Sequence, residues 1–243
     1  MRAVTLPALT ICLVLAGVAC RGEAMDAKQA FPDPRSAELA QAVADGDAAR
    51  VRALVQAGAD PNARGDRGVN LLQYAMLAQS PRGLQALLDS GADASRPGLG
   101  GSTAVHGAAI ANDPQYLDIL LAHRADPNAA HAETGETPLA EATGPRYQAQ
   151  FDALLKAGAD PDRADRMGNT ALHQAAKLNA SGQVLALLKA GADPRARNRQ
   201  GASFQTFLFK VPDAKLTAQG RTERTAVVAW LQEHDVALET GGQ

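Results

Sequence analysis

Cysteine is close to absent from this 243-residue chain: Cys12 and Cys20 are the only two, both within the first twenty positions. After removal of a leader of that length no pair remains for an internal disulfide. An oxidising compartment is compatible with such a chain but not signalled by it. Aromatic residues are scarce at 4%, which suits thin helix pairs in which small side chains let neighbours approach. The net charge of −2 offers no basic excess to drive counterion release, which argues against a nucleic-acid partner. Motifs for chemistry are missing as well. No Ser or Cys stands in a nucleophile elbow, no Gly-rich phosphate loop follows a strand, and no Cys/His or carboxylate cluster has metal-ligand spacing. The expectation is a chain that is not an enzyme and holds no cofactor or metal.

A long apolar run is missing too. The run over residues 3–19 follows the lone charge Arg2 and is shorter than the ~20 residues of a comfortable membrane span. It reads as the core of a signal peptide over residues 1–19. It ends Leu15-Ala16-Gly17-Val18-Ala19-Cys20, which resembles a bacterial lipoprotein signal with Cys20 as the acylated first residue. Gly17 stands where that family prefers Leu. Gly17-Val18-Ala19 also meets the small-x-small rule of ordinary signal peptidase, so soluble periplasmic export stays open. So does a start at Met25 in a cytosolic protein. Arg21 rather than Asp after the Cys leans, by the same resemblance, toward the outer membrane. Residues 20–35 lack a period and carry Pro32 and Pro34; they read as a flexible tether.

What is present is a repeat. Ala57-Gly58-Ala59-Asp60-Pro61 returns as Ser90-Gly91-Ala92-Asp93, His123-Arg124-Ala125-Asp126-Pro127, Ala157-Gly158-Ala159-Asp160-Pro161 and Ala190-Gly191-Ala192-Asp193-Pro194. The repeated Asp residues stand 33, 33, 34 and 33 positions apart, a period that marks a stacked repeat protein. Each phrase follows an apolar run, at 51–55, 84–88, 117–121, 151–155 and 184–188. Those runs have helical spacing and are closed by a Gly in the left-handed conformation. A small polar residue 23 positions before the next repeated Asp opens a further helix: Asn70, Thr103, Thr137 and Thr170. Thr103-Ala104-Val105-His106, Thr137-Pro138-Leu139-Ala140 and Thr170-Ala171-Leu172-His173 resemble the ankyrin repeat family, whose hallmark is Thr-Pro-Leu-His followed by Ala-Ala and Leu-Leu-x-x-Gly-Ala-Asp.

That resemblance implies an all-α solenoid of about six helix-turn-helix repeats with short β-turn or hairpin fingers, spanning residues 36–239. The first repeat is expected to open at Ala37 or Ser36, with Glu38, Gln41 and Asp45 facing outward as a terminal repeat requires. Arg124 in place of the helix-ending Gly is expected at positive φ, at a cost of roughly 1 kcal/mol. The capping repeat, about 197–239, groups Phe204, Phe207 and Phe209 and ends in a helix over 223–233. Placing His234 at the helix-ending Gly puts Val236 in the Asp register and implies a ten-residue insertion near 211–221, either an end seal or a partner-contacting loop. His106 and His173 are expected to bond neighbouring backbone.

Function, on this reading, is a surface. The family resembles a cupped hand, with fingers and first helices forming the concave face. The early fingers carry Arg64, Arg67, Arg96 and Leu99, the middle one His131 and Glu133, and the late ones Arg163, Arg166, Met167, Arg195, Arg197 and Arg199. Arginine is favoured at interfaces because its planar fork pairs with carboxylates. First-helix candidates are Tyr74, Gly107, Glu141, Gln174 and Lys177. One protein partner is expected, on the concave face or the insertion, with the free chain a monomer. The layout of signal, tether and repeats resembles immunity proteins paired with type VI lipase effectors. A periplasmic scaffold for an envelope or oxidative-stress enzyme is the alternative.

Overall fold

A computed structural model describes residues 26–239. The signal-peptide and Cys20 expectations lie outside the described residues. Thirteen α-helices follow one another among them. A short helix α1 (Ala27–Ala30) precedes five helix pairs: α2 (Pro34–Ala44) with α3 (Ala48–Gln56), α4 (Leu71–Leu77) with α5 (Pro81–Asp89), α6 (Ala104–Ala109) with α7 (Gln115–Ala122), α8 (Pro138–Glu141) with α9 (Gln148–Lys156), and α10 (Ala171–Lys177) with α11 (Ser181–Lys189). A sixth pair, α12 (Phe204–Leu208) and α13 (Ala218–Glu233), closes the array.

The local chemistry explains each turn of the repeat. Asn70, Thr103 and Thr170 sit in extended backbone and cap the N3 amide, while Gln73, His106 and His173 reach back to the cap. The second helices end on Gly58, Gly91, Gly158 and Gly191, with φ between 84° and 97°. Arg124 takes that place at φ 61°, as its position in the phrase predicts. Each repeated Asp closes an Asx turn on the amide two residues on, as Asp60 does with Asn62 at 2.8 Å and Asp126 with Asn128 at 2.8 Å. The carboxylates of the repeat are therefore spent on the turn.

Stacking is held by polar links as well as by the Leu and Ala core. His106 donates from Nε2 to the Glu136 carbonyl at 3.0 Å, and His173 to Ala202 at 3.1 Å. Burial holds both imidazoles below the usual histidine range, so they remain neutral and serve as backbone links. Fingers bond in series: Ala132 N–H to Gly101 O, Arg166 N–H to Thr134 O, Arg199 N–H to Met167 O, at 2.8–3.0 Å. Each finger is thereby tied to the next along the array.

Several expectations are corrected. Residues 26–31 are not a free tether, because from Asp26 onward the chain is seated on the array. Ala27, Ala30 and Phe31 are buried, and Ala30 O lies where a side chain at Gly65 would stand. The first repeat opens earlier than Ser36 or Ala37, since the Asp33 carboxylate caps Ser36 at 2.8 Å and Pro34 supplies the preset φ of a first turn. At the other end α13 starts at Ala218, capped by Thr217, rather than at Glu223. The positive φ falls on Asp235, not His234. Val236 N–H then bonds Leu231 O as Ala59 bonds Leu54, so Ala237 holds the Asp register and the insertion is eleven residues. That insertion is not a loose loop. Arg224, 5% exposed, donates to Val211 O at 2.6 Å, Asp213 Oδ1 at 2.9 Å and Asn179 Oδ1 at 3.2 Å, fastening it to the fifth repeat.

Candidate protein-binding face

The first helices present equivalent positions side by side. Four residues beyond each cap stand Tyr74, Gly107, Glu141 and Gln174, and α4, α6, α8 and α10 pack in that order. Where the second and third repeats meet the turn between the two helices of the fourth, this row opens into a groove of about 840 Å³. Met76, Leu77, Leu99, Ile110, Tyr116 and Tyr147 supply its apolar walls, with Gln73, Asp113 and Arg146 at its edges. Leu77 is 53% exposed, and Leu99 and Ile110 are each 44% exposed. Large apolar side chains grouped in the open are the mark of an interaction surface.

Fixed neighbours hold these groups. Gln73 accepts the Leu99 amide at 2.7 Å and donates to Ser102 O at 3.1 Å, which pins the finger that presents Leu99. Arg146 donates to Asn112 Oδ1 at 2.6 Å and lies 5.7 Å from the Tyr147 ring centroid. Gly107 keeps the floor low, since a Cβ there would come within 3.0 Å of Met76 Cε.

The residues expected at a partner interface divide into three groups. Tyr74 does not belong to the face: it is 2% exposed, covered edge to face by Phe31. The expectation failed because Phe31 arrives from outside the repeat period. A second group is occupied within the fold. Arg166 donates to Ala132 O at 2.8 Å, Arg195 to Asp235 O at 3.3 Å, and Arg197 to Gly201 O at 2.7 Å and Glu239 at 2.6 Å. His131 accepts the Glu133 and Thr134 amides and meets His106 edge to face at 5.7 Å. The third group is exposed, its side chains making no hydrogen bond to a described residue: Arg64, Arg67, Arg96, Leu99, Glu133, Arg163, Met167 and Arg199.

Sequence reasoning missed Leu77 and Ile110. Both stand seven residues after their caps, at the end of the first helix, where the apolar pattern alone does not distinguish a core position from an open one. The same holds for Tyr116 and Tyr147, which belong to the second-helix side.

The comparisons with known proteins bear on this geometry. The family model described as ankyrin repeats (3 copies) matches residues 39–131 and 105–198. The chain belongs to the ankyrin repeat family. Ankyrin repeats mediate protein–protein interaction. The chain is 45% identical over 175 residues to Protein PhlB of Serratia liquefaciens, covering 68% of this chain and 76% of that one. Among solved structures it is similar to the ankyrin repeat domain of Bcl-3, with TM-score 0.66, 25% identity, and coverage of 79% of this chain and 85% of that one. It is also similar to the ankyrin repeat protein EF0377, with TM-score 0.64, 22% identity, and coverage of 79% and 96%. A chain of the complex between the Bd0816 predatory endopeptidase from Bdellovibrio bacteriovorus and immunity protein Bd3460 gives TM-score 0.62, 22% identity, and coverage of 78% and 97%.

Proposed function

We propose that this chain is a non-catalytic immunity protein of the bacterial envelope, which binds a secreted toxic hydrolase such as a type VI lipase and blocks access to its active site. The observation that carries the reading is the open groove of the second and third repeats, with Leu77, Leu99 and Ile110 exposed along it and the Leu99 finger pinned by Gln73. A finger pinned before binding loses little freedom on association, which favours affinity. A face spanning several repeats is large enough for the ~800 Å² per partner of a specific complex. The groove takes precedence over the insertion near 211–221 because buried Arg224 commits that segment to the fold. A chain of a solved endopeptidase–immunity protein complex shares this fold, a likeness that at 22% identity speaks for the fold alone. The reading includes export, with Cys20 lipidated and the array facing the periplasm from the outer membrane.

The test is inhibition. The protein is mixed with a purified secreted lipase of the type VI effector class, and substrate turnover is followed at increasing ratios. Stoichiometric loss of turnover, abolished by Leu77→Asp or Ile110→Asp, is the expected result. A complex whose turnover is kept or raised would move the protein to the scaffold role instead.

A further inference from the structure

The groove has a polar neighbour with an unmet need. Glu141 stands one step beyond Gly107 on the inner face, and Glu136, on the finger before α8, reaches the same row, where it contacts Gln174, the next residue of the row after Glu141. Both are partly buried. The Glu141 carboxylate receives no hydrogen bond from a described residue, and Glu136 receives one, from Gln174 Nε2 at 3.2 Å. No ion pair reaches either among the described residues.

His131 and Lys177 act on Glu136 through space, but neither pairs with a carboxylate of the two. Lys177 donates to Asn169 Oδ1 at 3.0 Å and stands 5.1 Å from the Phe207 ring centroid. Arg166 is committed to Ala132 O. Two carboxylates brought together with little solvent either keep a proton or draw an opposite charge, and above neutral pH the opposite charge is what relieves them. A charge-assisted hydrogen bond at such a place is stronger than one on the open surface.

The two halves define one occupant. We infer that the groove receives a segment of a protein partner that seats an aliphatic or aromatic side chain against Leu77, Ile110 and Tyr116 and places a lysine or arginine on Glu141 and Glu136. This rests on the protein-binding reading above and adds the chemistry of the partner to it. The chain already uses an aromatic side chain in this way one repeat earlier, where Phe31 covers Tyr74. An acidic segment is repelled by the same pair of carboxylates.

A phage library of random twelve-residue peptides, panned on the intact protein and on its Glu141→Gln and Ile110→Asp variants, tests this. Peptides enriched on the wild type should carry Lys or Arg at a fixed spacing from a large apolar residue. Glu141→Gln should keep the apolar requirement and lose the basic one. A synthetic peptide of the enriched sequence should bind that variant at least tenfold more weakly at pH 8. Enrichment of apolar peptides with no basic preference, or a basic preference that survives Glu141→Gln, overturns the inference and leaves the groove as a docking site. Peptides indifferent to Ile110→Asp, or no enrichment at all, overturn the groove together with the inference. A concentration-dependent dimer in sedimentation, abolished by Ile110→Asp, would replace the foreign segment with a second copy of the chain.

Discussion

Phe31 and Tyr74 meet edge to face, their ring centroids 5.4 Å apart and their planes at 89°. The contact joins a residue that precedes the repeats to the first helix of the second one. Both rings are buried, so the segment 26–31 is a seal on the array's open end. Aromatic pairs in this geometry contribute beyond their buried area. Phe31→Ala is expected to destabilise the fold by about 3 kcal/mol, read as a lower urea midpoint. An unchanged midpoint would mean that the segment is seated without contributing to stability.

Arg124 supplies a test of opposite sign. It ends α7 at φ 61°, where four other repeats use Gly. Arg124→Gly should stabilise by about 1 kcal/mol and raise the thermal midpoint by about 2–4 °C. A lower midpoint would show that the arginine side chain contributes more than its backbone costs.

Glu141 makes stability depend on pH. Burial first, and the Glu136 charge second, push its carboxyl up to about 7. Glu136 is itself raised by burial and by Asp165, against the opposing charges of His131 and Lys177. In the unfolded chain a Glu titrates near ~4.3. Between those two values the folded state holds a proton that the unfolded state has lost, so stability falls as pH rises through the window. Glu141→Gln should therefore be more stable than the wild type at pH 8, by on the order of 1–3 kcal/mol, and equal to it near pH 4. Denaturant melts at the two pH values decide the matter, and an equal difference at both would refute the assignment.

The late arginines divide into two kinds by their partners. Arg166 and Arg197 hold fingers and the C-terminal tail, whereas Arg163 and Arg199 make no side-chain hydrogen bond to a described residue. Arg166→Ala with Arg197→Ala should cost about 1 kcal/mol in exposed polar contacts and lower the thermal midpoint by about 2–4 °C. Arg163→Ala with Arg199→Ala should leave the midpoint nearly unchanged while weakening capture of a protein partner. A midpoint loss from the second pair and none from the first would reverse this division.

The repeat was legible because each of its signals is local. A cap lies three residues from its acceptor, and a Gly or Arg124 ends the helix that precedes it. His106 and His173 could be assigned to backbone for the same reason. What escaped was contact across sequence distance. Nothing in the period says that Phe31 covers Tyr74, that Arg224 binds the carbonyl of Val211, or that Arg166 turns back to Ala132. The C-terminal register was off by one because Asp235, rather than a Gly, adopts positive φ. Asp tolerates that conformation better than most residues, so composition marks the place weakly. Leu77 and Ile110 went unseen as surface because exposure at a helix end depends on how the neighbouring repeats cover it, which the apolar spacing does not encode.

The seated segment also fixes where the chain enters the array. Phe31 ties residues 26–31 to Tyr74 of the second repeat, so a pull applied at Asp26 is borne by the first two repeats together rather than by the first alone.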